Sequence, residues 1–147
     1  MKYMIMLCGS QQDYDMLTGA AGDRSWSAED VAALHAFMGS WNETLVESGE
    51  FVDGQGLSAP AHARRIHLRD GVPVATDGPY PETQEVLAGY TIVDCASFDR
   101  ATEIAAQLAN TPHPETATLS HEWYVDIRPI EGAPPGPDVD PPAGSVG

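Results

Sequence analysis

The sequence predicts an α+β fold of the ferredoxin-like, split β-α-β type. Apolar and alternating segments follow one another along the chain in the order β-α-β-β-β-β-α-β. An Asp-Gly pair at residues 70–71 marks the two middle strands as a hairpin. Without that hairpin the order is β-α-β-β-α-β, the split unit of ferredoxin-like folds. We therefore expect two helices on one face of an antiparallel sheet, forming a sandwich with an inserted hairpin.

The first predicted strand is a short apolar run at the start of the chain. Residues 3–8, YMIMLC, end at Gly9 and suit a central strand that is buried on both faces. Residues 9–26 are polar and contain glycines, so we expect a long loop there. Loops of that length inside a compact domain are often functional.

Two helices are predicted from their caps and their apolar spacing. Ser27 is a good N-cap, acidic residues follow it at the positive end of the helix, and Gly49 is a natural stop. Between them, apolar residues at alternating spacings of three and four form one narrow face: Val31, Leu34, Met38, Trp41 and Leu45. The second helix is predicted at residues 98–110, after the N-cap Ser97.

The remaining strands are shorter and are broken by turn residues. Residues 50–60 contain a strand that is interrupted by Gly54 and Gly56, which predicts a bulge or a close approach by another group. The hairpin strands lie on either side of Asp70-Gly71, a further strand covers residues 89–95, and the last covers residues 119–130.

The second face of this sheet needs a cover that the chain does not supply. No third helix is predicted, so a second subunit is the simplest cover and we expect a homodimer with two sheets packed face to face. Residues 1–131 form the predicted domain. Residues 132–147 hold five prolines and four glycines and have little to bury, which predicts a loosely docked or disordered tail.

The composition excludes several classes of partner. Seven basic and 22 acidic residues give a net charge of −15. A chain this acidic has no basic stripe for nucleic acid and is not attracted to anionic membranes. The apolar run at residues 3–8 is too short for a membrane helix or a signal sequence, so we expect a cytoplasmic protein with reduced thiols at Cys8 and Cys95. No zinc-type spacing of His and Cys is present, and we expect neither a metal nor a cofactor.

The segment TDGPYPETQEVLAGYTIVD, residues 76–94, resembles the signature of the DGPF-domain family, a branch of the YCII-related superfamily. Three further pieces are similar to that family: MKYMIML at the start, ESGEFVDGQGLSAP at residues 47–60, and VDIRPI at residues 125–130. The chain departs from the usual signature in having Tyr80 where the family has Phe and Gln84 where it has Lys.

This resemblance implies a dimeric ferredoxin-like α/β barrel and little about the reaction. Simpler YCII-type members carry a His in the first helix, thought to serve acid–base chemistry on small cyclic molecules. The matching position here is Met38, so that mechanism does not carry over; His35 lies three residues away. Family members are also often encoded beside sigma factors of the stress-response type, which implies a regulatory partner as the alternative.

The signature turn supplies the first candidate site residues. Asp77 in an Asp-Gly-Pro turn accepts hydrogen bonds from its own downstream backbone, so a purely architectural role is open. Tyr80 and Glu82 follow the turn as an aromatic ring and a carboxylate, which a small-molecule pocket would use. We therefore hypothesise that Asp77 is catalytic and that Tyr80 and Glu82 bind substrate, with the architectural alternative left open.

The other candidates lie on strands. His121 shares an apolar strand face with Trp123 and Val125, which favours a core or interface role; in a pocket it would serve proton transfer near neutral pH. Arg128 either holds a substrate carboxylate or forms a cross-strand ion pair. Arg64 shares a predicted face with apolar residues and could point inward towards an anionic ligand.

Two functional hypotheses remain from the sequence. The first is a cofactor-free lyase or isomerase that uses Asp77 or His121 for proton transfer on a small molecule beside Tyr80. The alternative is a non-catalytic binding or regulatory dimer linked to sigma-factor or stress regulation.

Overall fold

The computed structural model of the chain describes residues 1–81, 84–114 and 122–132. Its regular elements are β1 (Lys2–Gly9), α1 (Gln11–Thr18), α2 (Ala28–Ser48), β2 (Phe51–Gly56), β3 (Arg64–Arg69), β4 (Val72–Asp77), β5 (Val86–Asp94), α3 (Phe98–Ala106) and β6 (Val125–Pro129). Short 3₁₀ turns lie at Gly22–Arg24, Pro60–His62 and Gln107–Asn110. The chain is therefore an α+β protein, as predicted.

The main sheet has four antiparallel strands in the order β2-β5-β1-β6. The hairpin β3-β4 forms a separate two-stranded sheet. With the hairpin set aside, this strand order is compatible with a ferredoxin-like fold. The β2-β5 ladder shifts register between Phe51 and Asp53, so the irregularity expected near the strand's glycines is present.

The core lies between one face of this sheet and helices α2 and α3. Its buried residues include Tyr3, Ile5, Trp41, Leu45, Val93, Ile104 and Leu108. The Nε1 of Trp41 donates a hydrogen bond of 3.1 Å to the carbonyl oxygen of Ile104, which joins the two helices inside the core. At the edge of this core Arg100 of α3 holds Glu50 through two hydrogen bonds of 2.8 and 2.9 Å.

Both predicted helix starts are confirmed. Ser27 accepts a hydrogen bond from the backbone N of Asp30, whose carboxylate accepts one from the backbone N of Ser27, a reciprocal cap. Gly49 ends α2 with a positive φ of 79°. Ser97 caps α3 in the same position, and the second predicted helix changes at Gln107 into a 3₁₀ turn.

The long loop predicted after β1 is wrong, because the segment contains a third helix, α1. Ser10 and Asp13 form the same reciprocal cap that starts α2. Met16 is buried, while most of α1 is polar and half-buried, so its weak apolar pattern gave no helical signal. Residues that were placed in an irregular segment therefore occupy defined positions beside the sheet.

The predicted hairpin is confirmed, and it carries exposed apolar residues. Asp70 and Gly71 both have positive φ, 51° and 77°, as a two-residue hairpin turn requires. One face of the hairpin presents a group of exposed side chains that we name the hairpin strip: Ile66, Leu68, Pro73 and Ala75. Ile66 and Leu68 are 69% and 73% exposed.

The main sheet has a second face, opposite to the helices. Alternation along β1 and β5 places Met4, Met6, Tyr90 and Ile92 there, and we name this group the open sheet face. All four are half-buried in the single chain. The last strand, predicted from residue 119, begins at Val125; residues 119–121 and the tail beyond residue 132 lie outside the described residues.

Candidate functional site

The signature turn packs against the chain that precedes the hairpin. Gly78 donates a hydrogen bond of 2.8 Å from its backbone N to the carbonyl oxygen of Ala63, and its bond to Pro79 is cis. A Cβ atom at Gly78 would lie 2.0 Å from the carbonyl oxygen of Pro60, which is buried. The glycine of this turn is therefore required by a close backbone approach.

The predicted residues around the turn form two surface contacts. The Oδ1 of Asp77 accepts a hydrogen bond of 2.7 Å from the Nε of Arg64, and the two side chains are 68% and 69% exposed. Because its side chain is this exposed, Arg64 does not point inward. Its positive charge is matched by the negative charge of Asp77, the residue opposite it on the hairpin. The guanidinium of Arg65 lies 4.2 Å from the centre of the Tyr80 ring, a cation–π contact.

The remaining predicted site residues are not brought to this turn. Arg128 lies on β6 opposite Met4, is exposed, and makes no ion pair with any residue in the described ranges. Glu82 and His121 lie outside the described residues. The structure therefore brings together Asp77, Arg64 and Tyr80, at the base of the hairpin, and separates Arg128 from them.

A large cavity lies elsewhere, on the helix-facing side of the sheet. Its volume is about 990 Å³, at the upper end of the range for small-molecule sites. It is lined by residues of α1, the middle of α2, β2, β5 and the end of β1, together with Trp26, Leu57 and residues 108–109, 111–113 and 123–124. Asp77, Arg64, Tyr80 and Arg128 are not part of its lining.

Three glycines form one side of this cavity. Gly54 is paired with Thr91, and Gly56 is paired with Gly89, so these positions share the sheet face that carries Val93 and the core. A Cβ at Gly56 would meet no atom within 4 Å. We name Gly54, Gly56 and Gly89 the glycine floor, because the absence of side chains there leaves the space beneath α2 open.

The walls of the cavity are mainly apolar and aromatic. Apolar side chains from the two helices and β2 include Leu17, Leu34, Met38 and Phe51, and further aromatic rings come from Tyr14, Trp26, Trp123 and Tyr124. Met38 and His35 of α2 are both among the lining residues. The cavity is therefore built from several segments. Of these, α2 is the only helix that the sequence interpretation connected with a functional site.

A cluster of ionisable groups lies at the exposed side of this cavity. The hydroxyl of Tyr124 donates a hydrogen bond to the carboxylate of Glu85, a residue of the signature segment. This bond, followed by the contact with Cys8, raises the pKa of Tyr124 well above its ordinary value. Tyr124 and Cys8 both line the cavity. A carboxylate held on a phenol in this way can accept or relay a proton.

Two further tyrosines are held in place by hydrogen bonds, Tyr14 in the cavity wall and Tyr90 on the opposite face of the sheet. The hydroxyl of Tyr14 donates to the carbonyl oxygen of Leu57 at 2.7 Å, and burial raises the pKa of this phenol. The hydroxyl of Tyr90 donates to the Oδ2 of Asp53 at 3.1 Å, and this bond raises the pKa of Tyr90. Both phenols therefore stay protonated, and that of Tyr14 serves as a fixed polar point of the wall.

The described part of the chain shows neither a metal-binding cluster nor a membrane-spanning helix. No group of three or more His, Cys, Asp and Glu residues there is arranged to hold a metal ion. No helix there is long and apolar enough to cross a bilayer. The two thiols, Cys8 and Cys95, are not joined in a disulfide.

Sequence reasoning missed the lining residues of α1 and the partner of Glu85. The cap pair Ser10 and Asp13 was a readable signal for α1, and with it Tyr14 would have been placed on a helix beside the first strand. The pairing of Glu85 with Tyr124 spans 39 residues and leaves no local signal. Glu85 itself is half-buried.

Comparison with known proteins places this architecture in a recognised group. A family model described as the YCII-related domain matches residues 1–116. An uncharacterized protein of Rhizobium meliloti (strain 1021) is 29% identical over 112 residues, which cover 76% of this chain and 85% of that relative. The residues matched by the family model include α1, α2, the glycine floor and the signature turn, and thus most of the cavity.

Proposed function

The chain belongs to the YCII-related domain family, and we propose that it binds a small molecule in the cavity above the glycine floor and acts on it as a cofactor-free lyase or isomerase. The observation that carries this proposal is the cavity itself, about 990 Å³ with apolar and aromatic walls. Its lining includes Met38, the position at which the resemblance to simpler members expects an acid–base residue. We therefore place the reaction beside this position of α2 and assign its proton transfer to other side chains of the cavity.

The proposed proton-transfer groups of the cavity are Glu85 and Tyr124. Glu85 belongs to the signature segment, and its carboxylate accepts a hydrogen bond from the hydroxyl of the lining residue Tyr124. Positioned acid–base groups of this kind contribute about 10²–10⁴-fold to a rate. Asp77 and His121 stay proposed as the rival pair, with Tyr80, Glu82, Arg64 and Arg128 as rival binding residues.

We also propose that the protein acts as a homodimer of the α/β-barrel type. The open sheet face carries two methionines, a tyrosine and an isoleucine that remain half-buried in the single chain, and a second copy would cover them. The cytoplasm is the proposed location. Light scattering should give twice the monomer mass, and Met6→Asp, at the centre of this face, should give the monomer mass with an unchanged far-UV spectrum. A wild-type monomer would contradict the dimer.

The enzymatic proposal can be tested without knowledge of the natural substrate. A panel of neutral cyclic enones and lactones is incubated with the protein in D₂O and followed by proton NMR. An acid–base site exchanges deuterium into an acidic carbon of a bound compound even where no net reaction follows. We expect exchange in at least one compound, and a loss of about 10²-fold in Glu85→Gln. Binding without exchange anywhere in the panel would contradict an enzymatic role.

Matched variants assign the exchange to a site. Gly56→Phe fills the cavity from its floor, where an added side chain meets open space, and should abolish both binding and exchange. Val52→Phe on the same strand is the control, because Val52 is exposed and does not line the cavity. If Asp77→Ala abolishes exchange with the fold intact while Gly56→Phe does not, the site is at the hairpin and the cavity proposal is wrong.

The second candidate function is a non-catalytic binding or regulatory dimer, with a link to sigma-factor or stress regulation as the resemblance suggests. The observation that favours it is the hairpin strip, whose apolar side chains stand exposed on a separate two-stranded sheet. Replacement of Ile66 and Leu68 by Ser should then abolish recovery of a protein partner. A variant that keeps its partner, or a wild type that recovers none, counts against this function.

A further inference from the structure

We infer that the cavity takes uncharged or cationic aromatic molecules and rejects anions such as carboxylates and phosphates. This inference rests on the proposed function, since it names the class of ligand for the same cavity. It starts from the positions of the basic residues. The chain has seven Lys and Arg residues, all within the described ranges, and none of them lines the cavity.

The basic side chains are placed elsewhere, several of them with other partners. Arg100 is paired with Glu50 and Glu103, and Arg64 is paired with Asp77. Arg65 lies over the ring of Tyr80, and Arg128 lies on the strand β6 outside the lining. An anion that entered the cavity would therefore lose part of its hydration without gaining a cationic partner from this chain.

The charges near the cavity have the opposite sign. Asp13 belongs to the lining, and Glu85 is held against the lining residue Tyr124. The whole chain adds a net charge of −15, which lowers the local concentration of anions and raises that of cations. Like charges within a partly desolvated space repel more strongly than in water, so this arrangement discriminates by charge.

The cavity wall carries aromatic rings and hydrogen-bonding groups that an uncharged or cationic aromatic ligand would contact. Aromatic side chains line the cavity, namely Tyr14, Trp26, Phe51, Trp123 and Tyr124, and ring faces of this kind attract cations and stack on flat ligands. The Nε1 of Trp26 and the Oδ1 of Asn42 are buried in the lining residues without a hydrogen-bond partner in the described structure. They offer one donor and one acceptor, which suits a ligand with a hydroxyl or amino group rather than a bare acidic group.

Three naphthalene probes of equal ring size test the inference: 1-naphthylmethanol, 1-naphthylmethylammonium and 1-naphthoate. Titration calorimetry at pH 8 measures the affinity of each probe. We expect the alcohol and the ammonium compound to bind at least about tenfold more tightly than the carboxylate, a difference of about 1.4 kcal/mol. Gly56→Phe should abolish binding of all three, and Val52→Phe should leave it unchanged. Added salt should reduce the advantage of the cation and leave the alcohol unaffected.

The outcomes separate this inference from the proposed function. If none of the probes binds, the cavity is not a binding site and both proposals fail. If 1-naphthoate binds most tightly and Gly56→Phe abolishes that binding, the cavity is a site but the charge inference is overturned. Asp13→Asn should reduce the ammonium compound's advantage over the alcohol; an unchanged advantage would show that Asp13 does not contribute to the selection.

Discussion

Replacement of Gly78 by Ala tests whether the signature turn is required for architecture. The added Cβ would lie 2.0 Å from the carbonyl oxygen of Pro60, about 1 Å closer than the 3.0 Å that real Cβ contacts respect. Pro60 is buried and the opposing atom belongs to the backbone, so no side chain can rotate away. The turn must shift, and the hydrogen bond of 2.8 Å from Gly78 to Ala63 is strained or lost.

The size of this effect follows from its two parts. Forcing an extra carbon into a packed site costs about 1–3 kcal/mol, and the lost hydrogen bond adds about 1 kcal/mol. We expect the free energy of unfolding to fall by about 2–4 kcal/mol, and the midpoint of thermal unfolding to fall by about 6–12 °C for a chain of this length. Urea and thermal unfolding, followed by far-UV circular dichroism, measure both quantities.

A second Gly→Ala variant provides the control. Gly39 lies in α2, and a Cβ there would meet no atom within 4 Å. Alanine stabilises an exposed helical position relative to glycine by about 0.5–1 kcal/mol, so the same chemical change should have the opposite sign. If Gly78→Ala unfolds at the wild-type midpoint, the close approach to Pro60 does not constrain the turn. The architectural account of the signature would then be wrong.

Three further predictions concern the core and the caps. Trp41→Phe removes the donor to the carbonyl oxygen of Ile104, and urea unfolding should show a loss of about 1–3 kcal/mol; an unchanged midpoint would mean that the bond contributes nothing. Ser27→Ala removes the cap of α2 and should cost about 1 kcal/mol by the same measurement; a cost near zero would exclude a role for the cap. The hydrogen bonds from Arg100 lower the pKa of Glu50, so the stabilisation from this carboxylate is complete above the ordinary glutamate pKa of about 4.3. It is lost as pH falls through the lower folded value, and the stability difference between wild type and Glu50→Gln should shrink over that range; a difference independent of pH would contradict it.

Local signals predicted the elements that local chemistry determines. The caps of α2 and α3 involve contacts within three residues, and the hairpin turn depends on two adjacent residues with positive φ. Such features are readable because every partner lies within a few positions of the sequence. The helix α1 obeys the same cap rule through Ser10 and Asp13, but its polar composition hid the apolar side that a periodicity search requires.

The candidate site was only partly predictable, because its residues meet through the sheet. The glycines of β2 indicated an irregular strand, whereas their common face with Gly89 depends on the β2-β5 register. The alternation of its strand left an inward orientation open for Arg64, but the hairpin forms a separate sheet with both faces largely exposed. Alternation assigns two faces to a strand and does not decide which of them is covered.

The sequence by itself determined the α+β class, the family signature, the helix caps, the hairpin and the excess of negative charge. Each of these depends on composition or on residues that are close together in the chain. Only the tertiary structure decided that the signature turn packs on Pro60, that Glu85 meets Tyr124, and that the cavity lies above the glycine floor. These contacts join residues that are 18 or more positions apart, and their existence depends on strand register and on packing between elements, which no local pattern encodes.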